Sequence, residues 1–133
     1  MRTLGQERSQ FAIDKVIKNQ SKINKDVKSF TAGAPTVILQ NGFGQAMAFW
    51  LSKKTDSESG YKYKFVLESI KEWLIEKKFI DSNEDCKYFI LKLSTIDQKK
   101  YLSAQKEALL LLEWIKRYTS AFYIDEKKDE SGE

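Results

Sequence analysis

The sequence contains no histidine. That removes the commonest general base and the commonest metal ligand among side chains. A single cysteine, Cys86, excludes a disulfide within the chain and any zinc site of ordinary ligand composition. A reducing, intracellular setting fits that usage best. Proline occurs once, at Pro35, and glycine only six times. With so few breakers among many Lys, Leu, Glu and Ala residues, the expected fold is all-α. Apolar runs such as 108–112 are far too short to span a membrane. The stretch MRTLGQERSQ at 1–10 holds no apolar segment of signal-peptide type. No phosphate-binding glycine loop is present either. Gly42 and Gly44 make a GxG, but no Lys-Ser/Thr follows, and Met47 stands where a third glycine would be needed. The expectation is a cytoplasmic protein with no metal, no cofactor and no catalytic residues.

What is present is enough apolar material for one core. The 133 residues are 41% hydrophobic and 13% aromatic, which suits a single globular domain. The expected architecture is a bundle of about five to six helices over 1–124, followed by a charged, frayed tail at 125–133. Thr3 with Gln6 three residues later is a capping-box pattern that starts a first helix. Phe11, Ala12, Val16, Ile23, Val27 and Phe30 recur near helical spacing, with a break expected around 19–21. A turn is expected at 31–35, with Pro35 opening a short helix that stops at Asn41-Gly42. A helix over about 43–54 follows, with Gly44 and Ala48 offering a low surface for another helix. The polar stretch 55–60 reads as a loop. Helices are then expected over about 61–79, from 86 onward with Ser82 as the cap, and from Ser94 or Thr95 to about 123. In the last, Tyr101, Ala104, Ala108, Leu111, Leu112, Ile115, Tyr118 and Phe122 mark the buried face. Trp50, Trp73 and Trp114 read as core or interface anchors, and Cys86 as a small buried apolar group.

Charge is unevenly placed. Residues 1–54 hold nine basic and three acidic side chains, a net of +6, while 55–133 hold fourteen and sixteen, a net of −2. Arg8, Lys15, Lys18, Lys22 and Lys25 are spaced 7, 3, 4 and 3 apart. On one continuous helix they would share a narrow face able to track phosphates. The plainer alternative is an ordinary lysine-rich surface. Nothing along the stripe reads bases, so any nucleic-acid binding would be weakly sequence-selective. Lys53 and Lys54 complete the N-terminal basic set. Glu68, Glu72 and Glu76 read as a solvated face, and Glu113 with Arg117 as a surface i,i+4 pair.

Three blocks then resemble a known family: RTLGQERSQFAIDKV at 2–16, PTVILQNGFGQAMAFWL at 35–51 and YLSAQKEALLLLEWIKRYTSAF at 101–122. The central block is similar to the Leu/Ile-x-Asn-Gly-aliphatic-Gly-Gln-Ala-x-Ala-Phe hallmark of the small α-helical subunit of type III-B (Cmr-type) CRISPR RNA-silencing complexes. Here Phe43 replaces the usual aliphatic residue, and the acidic tail is particular to this chain. The resemblance implies a helical, non-nuclease subunit of an RNA-guided antiviral ribonucleoprotein. Its implied partners are the other subunits of the complex, copies of itself, and CRISPR RNA with target RNA. Arg8, Lys15, Lys18, Lys22, Lys25, Lys53 and Lys54 would then offset phosphate repulsion. Two rivals remain from the residues alone: a helical protein–protein adaptor without nucleic-acid contact, and a small hydrolase working with paired carboxylates.

Overall fold

A computed structural model describes residues 1–81 and 85–123. Among these residues, six α-helices make up one all-α domain: α1 (Leu4–Lys18), α2 (Lys25–Asn41), α3 (Phe43–Lys53), α4 (Tyr61–Glu76), α5 (Cys86–Thr95) and α6 (Gln98–Phe122). No strand occurs among the described residues. The tail expected at 125–133 and the cap expected at Ser82 lie outside them.

Local chemistry sets most boundaries. The Thr3 hydroxyl accepts from the Gln6 backbone N–H at 3.0 Å, and the Gln6 side chain accepts from the Thr3 N–H at 2.8 Å, completing the capping box. The expected break follows α1 as a 3-10 turn, Gln20–Lys22, after which Asn24 caps α2 through the Val27 N–H. The turn expected at 31–35 does not form. Pro35 lies inside α2, which runs unbroken to Asn41. An interior proline costs about 3 kcal/mol. Val27, Thr31, Ala34 and Ile38 lie on both sides of it, all fully buried along one face. Full burial of Val27 and Ile38 contributes about 1.5–3 kcal/mol each, enough to offset the proline.

Gly42 ends α2 with φ 90° and ψ 152°, its N–H bonded to the Ile38 carbonyl at 2.8 Å. Its own carbonyl accepts from Ala46 at 3.0 Å and so opens α3. One residue therefore joins two helices. The expected helix-to-helix approach through Gly44 and Ala48 is not what α3 does: Ala48 is exposed, and Gly44 meets a side chain. The Gly44 N–H donates to the Tyr101 hydroxyl at 2.8 Å, so α6 caps α3.

Helix α4 is the most enclosed, with nine of its sixteen residues buried, including Phe65, Leu67, Ile70, Trp73 and Leu74. It stops at Glu76, earlier than the expected 79. Lys78 turns left-handed (φ 63°), while Lys78 and Phe79 donate back to Ile75 and Leu74 at 3.0 and 2.9 Å. This pair of bonds is the Schellman closure. Asp85 caps α5 through the Lys87 N–H. Asp97, rather than Ser94 or Thr95, caps α6 through the Lys100 N–H at 2.8 Å. The Ser94 and Thr95 hydroxyls donate back to Ile90 and Lys92, so they belong to the end of α5. Helix α6 packs against α1, α2 and α4, and its expected buried face holds, with Tyr101, Tyr118 and Phe122 only partly covered.

Candidate nucleic-acid interface

Arg8 belongs to the interior more than to the surface. Its guanidinium donates to both carboxylate oxygens of Glu107, at 2.5 and 3.0 Å, and its side chain is 13% exposed. Trp73 Nε1 donates to the same carboxylate at 2.9 Å, so α1, α4 and α6 meet at one buried acid. Burial alone would raise the Glu107 carboxyl. The hydrogen bonds from Arg8 and Trp73 outweigh it and hold the group below its ordinary value. The same bond keeps the Arg8 guanidinium charged. Beside this junction, Lys77 bonds Glu7 at 2.8 Å and lies 5.1 Å over the Trp73 ring.

The other members of the stripe do not share one helix. Lys15 and Lys18 close α1, Lys22 stands in the 3-10 turn, and Lys25 opens α2. Three of them nevertheless converge. Lys15, Lys18 and Lys22 line a cleft against α4, where Lys64, Tyr61, Glu68 and Glu72 form the opposite wall. Four lysines against two glutamates give that lining a net charge of +2. Lys15 is bridged to Glu72, and Lys54 reaches Glu68 at 3.6 Å from the end of α3. Glu68 and Glu72, read from the sequence as a solvated face, therefore turn toward the lysines. Lys22 lies 5.4 Å over the Tyr61 ring. Burial, with repulsion from Glu68, pushes the Tyr61 hydroxyl up to about 12, so it stays a neutral phenol. Lys18 and Lys25 are exposed and meet no carboxylate among the described residues. Lys53 stands apart on the outer side of α3, 5.9 Å over the Phe49 ring.

Lys64, Tyr61 and Asn19 are cleft residues that the sequence reading missed. The available signal was the i,i+4 row Lys64, Glu68, Glu72, which marks one face of α4. Cys86 is buried as expected, its Sγ 3.6 Å from the Lys54 ammonium. The expected Glu113–Arg117 pair is replaced by Glu113–Lys116 at 3.2 Å. Among the described residues no group of three or more metal-ligating side chains comes together. No described helix is long and apolar enough to cross a membrane.

Residues 4–122 match the family model described as CRISPR-associated protein (Cas_Cmr5). The chain belongs to the Cmr5 family. Cmr5 proteins are the small subunit of the type III-B (Cmr) CRISPR complex, so this chain is a subunit of that assembly. The X-ray crystal structure of a CRISPR-associated Cmr5 family protein from Thermus thermophilus superposes with a TM-score of 0.69. The match covers 92% of this chain and 98% of that chain at 22% identity. At that identity the likeness is one of fold.

Proposed function

We propose that this Cmr5 subunit is non-catalytic, acts in the cytoplasm, and braces an RNA-guided antiviral complex while lining the target-RNA path with its α1–α4 basic cleft. The observation that carries this reading is the convergence of Lys15, Lys18 and Lys22 on one cleft, with Lys64 opposite. Lys18 and Lys25, free of carboxylates among the described residues, make the first phosphate contacts. Lys22, Lys53 and Lys54 extend the positive field, and Lys15 joins when RNA displaces Glu72. Arg8 serves the same surface indirectly, by pinning α1 to α6. The larger subunits and neighbouring copies of the same chain cover apolar surface such as Leu39 and Phe49.

The test is RNA affinity at low salt for a variant with Lys15, Lys18, Lys22 and Lys25 all changed to Glu. Binding through the cleft is expected to vanish with helicity intact. Unchanged affinity would remove the cleft from the RNA path. The Lys15–Glu72 and Lys54–Glu68 bridges favour a second reading, a protein–protein adaptor whose lysines are neutralised internally. The two differ in salt response, because a phosphate-tracking surface loses affinity steeply as salt rises and an internally neutralised one has no RNA affinity to lose.

A further inference from the structure

The groove between α2 and α6 carries a separate group of cations. The Thr31 and Thr119 hydroxyls lie 2.9 Å apart and lock the two helices together. Each is also 3.0 Å from the carbonyl three residues back, that of Lys28 and of Lys116. A lysine therefore stands one turn before each threonine, one on either wall. Arg117 follows, and the floor is made of Ala32, Ser120 and Ala121. Small floor residues let a ligand backbone come close to the rim charges.

Lys116 is bridged to Glu113, and Lys28 lies 5.1 Å over the Tyr123 ring. Neither Lys28 nor Arg117 meets a carboxylate among the described residues. One turn before Arg117, Trp114 is 36% exposed while its ring stacks on Tyr118 at 5.8 Å and 23°. Cations that follow phosphates, one helical turn from an exposed indole stacked on Tyr118, suit a single strand, whose bases are free to stack. An acidic protein segment would satisfy the cations but give the flat ring no comparable partner. We infer that this groove is a second RNA site. Lys28, Lys116 and Arg117 hold a phosphodiester backbone there, and Trp114 takes a base. The inference rests on the reading that the subunit contacts RNA, but the groove shares no lining residue with the α1–α4 cleft.

Trp50 and Trp73 are each 1% exposed, so Trp114 is the one tryptophan whose emission an added strand can quench by stacking. The experiment titrates the full chain at low salt with an oligouridine of about 12 nucleotides, reading tryptophan quenching and anisotropy together. Wild type is expected to be quenched on binding. Lys28→Gln with Arg117→Gln should weaken binding about tenfold and lower the salt slope by about 1.4. Trp114→Ala should abolish the quenching and weaken binding about tenfold. The cleft variant with four Lys→Glu changes should keep its quenching; circular dichroism checks that each variant is folded. Groove variants that bind like wild type overturn the groove and leave the cleft reading standing. If those variants bind RNA normally but drop out of the assembled complex, the groove is a protein contact and the inference is likewise overturned. Wild-type protein that binds no RNA at low salt overturns both.

Discussion

Arg8 and Glu107 are separated by 99 positions, yet they form a two-pronged ion pair in which both side chains are almost wholly covered. Removing one partner strands the other charge in a low-dielectric setting. Arg8→Ala should therefore destabilise the bundle by about 3–5 kcal/mol. Glu107→Gln keeps the shape and leaves a neutral acceptor, so it should cost less. Urea unfolding at neutral pH measures both. Equal, near-zero effects would show that the junction holds nothing together.

The same carboxylate makes stability depend on pH. Its folded-state pKa is held below the ordinary value, so its contribution is complete above the unfolded pKa of about 4.3. It is lost as pH falls through the lower folded-state value. Wild type should weaken below about pH 4.3, and Glu107→Gln should show a shallower acid decline. Unfolding midpoints across that acid range for the two proteins decide the point.

Two left-handed positions should respond in opposite directions. Gly42 sits at φ 90° and ψ 152°, a region that side-chain-bearing residues avoid, so Gly42→Ala should cost about 1–3 kcal/mol. Lys78 holds φ 63° with a side chain attached. Lys78→Gly should stabilise the protein by about 1 kcal/mol, because glycine adopts that conformation without the Cβ penalty. Thermal melts of the two variants, moving apart from wild type, are the expected outcome.

Tyr101→Phe deletes the acceptor for the Gly44 N–H and leaves α3 uncapped from α6. A loss of about 1 kcal/mol is expected, with faster amide exchange at Gly44 as the local signature.

RNA binding through the α1–α4 cleft should follow salt linearly on logarithmic axes, with a slope of about −0.7 per neutralised phosphate. Changing Lys18, Lys22 and Lys25 to Gln should flatten that slope by about 2. Anisotropy titrations at several salt concentrations test it.

Features settled by near neighbours were legible in the sequence. Thr3 and Gln6 cap each other three residues apart, Gly42 stops α2 where an Asn-Gly pair suggests, and Ala104, Ala108, Leu111, Leu112 and Ile115 are buried at helical spacing. Features settled by distant partners were not. Pro35 reads as a helix start, because nothing local reveals that Val27 and Ile38 are buried along one continuous face. Ser94 and Thr95 look like caps until their hydroxyls are seen turning back into α5. Arg8 fits the spacing of a surface stripe, and only the fold brings Glu107 to it. Trp114 shares its residue type with Trp50 and Trp73, but it lies toward the outer side of α6.

The junction at Glu107 also sets an order of events during synthesis. The acid that anchors the first helix is translated almost a hundred residues after Arg8. Until then that helix's apolar side must wait in the nascent chain without its final partner, and the bundle can close only when α6 has emerged.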